Sequence, residues 1–568
     1  MDGADTEGTG TDDTCTDGTG TDGTGTGGAR ARDTGADGAA GARLDALSAA
    51  DDIWSALFAL AEEAPAGLPD AIGARYGRVS KAERRHLSWL LGALGEQAVP
   101  VFLRLLGTIG GDGPGTADGN GPDAIDGDDA RELLGTAVQR RLGLPSAELH
   151  RLAGELGAME PLVDAMGLSG DPGFAPFLDG LLDDERLRGR AALALGRLGA
   201  RERTVAIARR LPGLTGLEHG AFVVALELLG DPAAIPHLLR ELAEGRVPGW
   251  DAHHALVALT GQDPLLPLTP PDGDHDEALR RAWAQRSPEH RRAPSIGPLV
   301  LDSPRRARFT LDDGRGRVRI DYDPPAPGSS WPRWDKSLRI DGERVYHVGS
   351  DCGTCETTLC LLGWPPRTAR TGADRLRAAL ADVDDLGAGV LDAVAPIVEE
   401  LPSGHYRAHL LDLDLERVTD PAASWTTRRH GLRADDERYG GDPSEDWPGT
   451  GHFQLRDRVP GEVPTYGVLL PSQPLDALDA DTVARHTSAI AAGRRPTALA
   501  LGWVEDSYVE AEYPERFLVA AVLDGHHRLA AHAAAGVPAR VLLLSRAEDN
   551  RGPEGGWSEA FDEVLGRL

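Results

Sequence analysis

The chain has 568 residues, of which 26% are charged and 41% hydrophobic, and its formal net charge is −31. That length allows several domains, and that composition supports buried cores. The acidity disfavours bulk nucleic acid and anionic membrane surfaces as partners, because both need a basic face, but it is compatible with a local basic pocket.

Residues 1–42 are dominated by Gly, Thr and Asp, with large apolar side chains absent until the helical part begins. Such a segment cannot offset its ordering entropy, and a disordered tail is predicted. A calcium-binding β-roll would need one recurring apolar residue per repeat, and none occurs. The start of the chain shows no basic segment followed by an apolar one, so no secretory signal is expected. No run of about 18 apolar residues occurs anywhere, and a soluble cytoplasmic protein with no membrane partner is the expectation.

Residues 43–292 read as helical. "DDIWSALFALAEEA", "AERRHLSWLLGALG" and "QAVPVFLRLLG" carry apolar residues at helical spacing. A second disordered insert is predicted between Gly111 and Asp129. Beyond it a repeat emerges. Leu198-Gly199, Leu229-Gly230 and Thr260-Gly261 follow one another every 31 residues, and Asp171-Pro172, Asp231-Pro232 and Asp263-Pro264 fall near multiples of that period. Asp is suited to cap a helix, Pro to open it and Gly to end the one before. Helix pairs of this kind cannot bury their apolar faces alone and must stack. From Leu91 to Gly261 the pattern resembles HEAT-like repeats. The resemblance implies an α-solenoid free of strands, with a protein partner on its concave face. His253 and His254 are adjacent on one helix and point about 100° apart, which suits structural roles better than a shared metal.

Residues 296–423 form an α+β module in which alternating β-branched and polar residues give strands. Within it "HVGSDCGTCETTLC" places His347, Cys352, Cys355 and Cys360 together. Three readings stay open: a zinc site completed by His347, His405 or His409, a redox pair, or plain reduced thiols. The fourth cysteine, Cys15, is far away, so no disulfide framework is present. Residues 424–452 read as a linker loop.

The last module, 453–568, runs strand, helix, strand, strand, helix, strand. The acidic "VEDSYVEAEYPERF" between two of its strands is a candidate pocket edge. "VLDGHHRLAAHAAAG" then places Asp524 and Gly525 in a tight turn, with His526, His527 and Arg528 opening a helix. The free N–H groups of a helix start favour an anion, and the side chains add donors. With the upstream "LLPSQPLDALDADTVARHTSAIAAGRRPTALAL", residues 460–546 resemble the ParB/sulfiredoxin-like superfamily. The resemblance implies that Asp524, Gly525, His526, His527 and Arg528 contact the phosphates of ATP, ADP or CTP or their Mg²⁺, with Asp476 and His527 as catalytic residues of a phosphotransferase or nucleotidase. No glutamate stands where the kinases of that superfamily carry their base. No cysteine neighbours His527, and no basic helix-turn-helix follows, so sulfinic reduction and DNA partition are not expected. The alternative is a scaffold or ligand sensor whose module is degenerate, with His527 and Arg528 bracing the helix.

Overall fold

The computed structural model describes residues 34–47, 50, 53–108, 125–246, 249–264, 275–286, 292–323, 335–350, 359–365, 373–427, 447–508, 514–550 and 559–568. The first part is helical and the second is rich in sheet. Among the described residues, no strand interrupts Leu91–Gly261, and no helix is long and apolar enough to cross a membrane.

Six helices pack side by side in one row: α1 (Lys81–Ala93), α2 (Gly127–Gln139), α3 (Glu160–Leu168), α4 (Arg188–Leu198), α5 (Gly216–Leu229) and α6 (Gly249–Thr260). Small residues set their spacing. A Cβ on Gly167 of α3 would lie 2.6 Å from the Cα of Ala194, and one on Gly196 of α4 would lie 3.0 Å from that of Ala225. The glycines at the 31-residue marks end α4, α5 and α6 with left-handed φ values of 69°, 61° and 64° at Gly199, Gly230 and Gly261. The Asp171 and Asp231 carboxylates accept from the N–H groups of Gly173 and Ala233, opening the next helical turns. Asp263 breaks the series: its carboxylate accepts from the backbone N–H of Ser403, 2.7 Å away in the sheet-rich part, and so ties the two halves together.

Two stretches expected to be disordered contain helix. Thr34–Leu47 is a helix whose Ala40, Leu44 and Leu47 are buried in the helical core, so apolar anchoring begins inside the tail assigned to residues 1–42. Helix α2 begins at Gly127, within the expected insert, because Asp126 and Asp129 form a reciprocal capping box.

The strands are β1 (Ser295–Ile296), β2 (Val300–Ser303), β3 (Arg306–Asp312), β4 (Val318–Asp323), β5 (Asp335–Ile340), β6 (Glu343–Ser350), β7 (Cys360–Leu361), β8 (Gly404–Leu413), β9 (Leu415–Val418), β10 (His452–Leu455), β11 (Thr465–Pro471), β12 (Ala498–Tyr508), β13 (Pro514–Asp524) and β14 (Ala539–Arg546). A large mixed sheet runs β1-β3-β8-β14-β12-β13-β11-β10-β9, with β2 beside β3. It contains strands from both modules the sequence separates. β8 pairs with β14 from Tyr406↔Arg546 to Leu413↔Ala539, so 296–423 and 453–568 share one sheet. The sequence could not show this, because each strand alternates acceptably by itself and pairing is a long-range choice. The ends of the expected linker are also core. Trp425 is buried and lies 5.1 Å, ring to ring, from Tyr466, while residues 428–446 are outside the described set.

A small sheet, β4-β5-β6-β7, lies between the large sheet and the helical row. Its alternation explains how it fits. Val318, Ile320, Leu338 and Ile340 join the core with Leu499, Leu501, Trp503 and Phe517 of the large sheet. Arg319, Asp321 and Arg339 point the other way, at period two, toward the helices. The opposite face of the large sheet is covered by α7 (Ala480–Ala491), α8 (His526–Ala535) and α9 (Glu559–Arg567), with Leu529, Phe561, Val564 and Leu565 buried there.

One face of the helical row is therefore covered along much of its length by the chain's own small sheet. Arg197 of α4 grips both oxygens of Glu343, and Arg141, just after α2, reaches the same carboxylate at 3.2 Å. Glu227 of α5 takes Arg319 at 3.0 and 3.3 Å. His254 of α6 meets Asp321 at 3.1 Å, and His253 meets Asp263 at 3.4 Å. Both histidines have structural partners, as their divergence on the helix predicts.

Candidate functional site

The junction of β13 and α8 is built by three local constraints. β13 is buried from Phe517 to Leu523, and β11 runs parallel to it with Pro471 opposite Val522. The loop after β11 therefore comes to rest beside the Asp524-Gly525 turn. Gly525 has φ 99°, and a Cβ there would lie 2.8 Å from the Cα of Ala498 on β12, so the turn needs glycine. Helix α8 then starts at His526 and stops at Gly536, which is also left-handed.

Two of the three side chains at this helix start, His526 and Arg528, turn inward. Arg528 is buried, and its Nη1 donates to the carbonyl of Thr497 and to the Asp524 carboxylate, both at 2.8 Å. His526 is buried, and its Nε2 accepts from the backbone N–H of Ser472 at 2.9 Å. The Ser472 hydroxyl donates to the Val522 carbonyl at 2.8 Å. His527 Nε2 accepts from the backbone N–H of Asp479 at 3.0 Å. An imidazole nitrogen that accepts carries no proton, so His527 is held neutral. Burial lowers its pKa further, although the Asp479 and Asp524 carboxylates pull the other way. Asp479 itself caps α7 by accepting from Thr482 N–H at 2.7 Å, and hydrogen bonds from the Thr482 side chain and then its backbone hold its pKa down.

Asp476, expected to act with His527, answers to a different neighbour. Its carboxyl reaches solvent, yet the protein crowded around it raises its pKa, and Arg140 of the helical part opposes that rise. Arg140 lies 5.5 Å over the Trp89 ring, and the nearby Tyr346 hydroxyl donates to Pro471 at 2.8 Å. The loop from Ser472 to Asp479 is thus clamped from both sides, by α8 and by the helical row with the small sheet.

Sequence reading missed two residues that face this junction. Arg485 and His486 of α7 lie near His527 and Arg528, and after burial their positive neighbours depress the His486 pKa. A helix-helix register was needed to bring them there, so no local motif marks them. The acidic "VEDSYVEAEYPERF" does not edge the junction. Its hairpin pairs Tyr508 with Pro514 at the far end of strands whose near end pairs Leu499 with Asp524. Some ten residues of strand, about 30 Å, separate the two ends.

Of the cysteine cluster, Cys352 and Cys355 lie outside the described residues. His347 and Cys360 stand opposite each other on β6 and β7. Burial raises the Cys360 thiol pKa, which keeps it protonated and weakly nucleophilic. Among the described residues, no group of three or more His, Cys, Asp or Glu side chains is arranged to hold a metal. His405 pairs with Glu548, and His409 is buried against Phe561 in the large sheet, whereas His347 and Cys360 lie in the small one.

The residues at the strand–turn–helix do not fit the phosphate clamp that the resemblance implies. Arg528 spends donors on a carbonyl and a carboxylate, Asp524 is neutralised by Arg528, and both histidine rings accept from the backbone. The chain matches no protein-family model, and a search of curated proteins gives no significant match.

Proposed function

We propose that this chain is a non-catalytic scaffold. In this reading an N-terminal array of HEAT-like repeats is held against the chain's own sheets, and the C-terminal ParB/sulfiredoxin-like module is degenerate. The observation that carries it is the inward course of Arg528. A phosphate clamp must present its guanidinium to the ligand, whereas this one is buried against Asp524 and Thr497. Phosphoryl transfer also needs charge neutralisation and a positioned base. Asp476 and His527 have separate neighbours, Arg140 and Asp479, and supply neither as a pair.

The test is calorimetric titration of the full chain with ATP, ADP and CTP in the presence of Mg²⁺, alongside phosphate-release assays. The expected result is no turnover and no binding that depends on Arg528. Saturable nucleotide binding lost in Arg528→Ala, with the variant still folded, overturns the scaffold reading.

One observation favours a second reading, nucleotide binding without the Arg528 clamp. Arg485 is exposed beside the start of α8, near His486 and His527. With the helix N–H groups it offers a cationic approach to a phosphate. Loss of nucleotide affinity in Arg485→Ala but not in Arg528→Ala selects this reading.

A further inference from the structure

Away from the strand–turn–helix, a cleft of about 380 Å³ opens where the helical row meets the sheets. One wall is apolar, from Val257 and Ala258 of α6; the others carry Arg292, Arg315, Arg317 and Asp313. Three guanidinium groups around one cavity are unexpected in a chain of net charge −31. We infer that this cleft binds a small organic anion, one whose carboxylate or phosphate groups meet Arg292 and Arg317 while its carbon body lies on the Val257–Ala258 wall.

The turn that carries two of these arginines is preorganised. Arg315 N–H donates to Glu399 O at 2.9 Å, Gly316 N–H to Leu401 O at 3.2 Å and Val318 N–H to Glu400 O at 3.0 Å. Gly314 has no room for a side chain, because a Cβ would lie 2.3 Å from Leu401 O. Asp313 sits at φ 52°, a left-handed position rarely taken by non-glycine residues, and its carboxylate accepts from Asp263 N–H at 3.0 Å. That bond fixes the end of the helical row to the turn. Strain of this kind, about 1–3 kcal/mol, persists only where surrounding contacts over-determine it.

The charges sort into braced and available groups. Arg315 is hydrogen-bonded to Glu400 and paired with Glu399 at 3.1 Å. Arg292 and Arg317 are different. Each is more than half exposed, at 58% and 55%, and each has its carboxylate partner at 3.6 Å, Asp313 and Glu400 respectively, beyond hydrogen-bond reach. Arg286 adds a fourth cation, 3.8 Å from Asp313. Four guanidinium groups thus face the three carboxylates of Asp313, Glu399 and Glu400. The fork of each available arginine suits two oxygens of a carboxylate or a phosphate. A volume near 380 Å³ is at the lower end of small-molecule sites, which favour domain junctions. Because α6 and the β3–β4 turn both line the cleft, a bound anion bridges the helical and sheet-rich parts and strengthens their association by linkage.

The experiment uses the full chain with two probes that separate the chemical sources, citrate for carboxylates and phenyl phosphate for phosphates, read by thermal shift and calorimetry. At least one probe should raise Tm saturably. Arg292→Gln/Arg317→Gln should weaken that probe about tenfold or more, as expected for losing charge-assisted hydrogen bonds. Both side chains are exposed and make no hydrogen bond among the described residues, so the double variant should keep the wild-type Tm without ligand. Arg131→Gln, an exposed change on α2, should leave the affinity unaltered. No saturable shift with either probe, or equal affinity in the Arg292→Gln/Arg317→Gln variant, overturns the inference.

Discussion

Arg319→Ala should release the helical row from the small sheet. The Arg319 and Glu227 side chains are only 3% and 7% exposed and meet at 3.0 Å. At an effective dielectric near 20, opposite unit charges about 3 Å apart attract by about 5 kcal/mol. Burial alone would raise the Glu227 pKa, yet Arg319, with lesser help from His254 and Arg339, holds it below the usual carboxylate range. Deleting Arg319 leaves a buried carboxylate without its main partner, and breaking such a pair costs about 3–5 kcal/mol. Replacing both partners by apolar residues of similar volume, Glu227→Leu/Arg319→Met, removes the desolvation penalty as well and should cost much less. A chain with several cores need not unfold in one step, so the readout is hydrogen exchange at the β4 amides of Val318–Asp323. Faster β4 exchange in Arg319→Ala, largely restored in the double variant, is the expected pattern. A cost below about 1 kcal/mol, the scale of surface ion pairs, would refute the claim that this pair holds the two parts together.

Gly525→Ala should lower stability by about 1–3 kcal/mol, from a left-handed backbone and a clash with Ala498, and thermal unfolding checks it. Arg528→Ala should lower Tm by the equivalent of about 1.5–3 kcal/mol, because the Thr497 carbonyl and Asp524 lose a charged donor; an unchanged Tm would mean that Arg528 does not brace the turn. Acid should destabilise the fold well before the carboxylates titrate. Burial pushes His409 and His452 down to about 4 from an ordinary value of 6.5. Below pH 6.5 the unfolded chain takes up these protons and the folded one does not, so stability is full above that value and falls toward pH 4, by roughly 3 kcal/mol for each group. His452→Gln should flatten that slope in pH-dependent denaturation. Cys360 should react slowly with thiol reagents at neutral pH and quickly only after unfolding, as mass spectrometry of labelled protein would show.

Local signals in the sequence determined the helical part and the order strand, helix, strand, strand, helix, strand from β11 to β14, but not β10 or α9 on either side of them. The glycines at 199, 230 and 261 end helices because a left-handed residue is needed there, a demand a single position can express. The Asp524-Gly525 turn was legible for the same reason. Strand alternation in "VRIDYD" determined that one face of β4 is apolar and the other charged. What lies against the charged face was decided only in three dimensions. Alternation of this kind ordinarily sends the polar face to water, but Glu227 and His254, from helices far away in sequence, cover Arg319 and Asp321 instead. The same holds at the candidate site. The residue types at 526–528 suit an anion, and their sequence is indifferent to the direction in which they turn. Ser472 N–H reaches His526 because β11 runs parallel to β13, and the Thr497 carbonyl reaches Arg528 because β12 pairs antiparallel with β13 and ends beside Asp524. Such hydrogen-bond partners are a property of the packed chain, and a motif read along one dimension does not contain them.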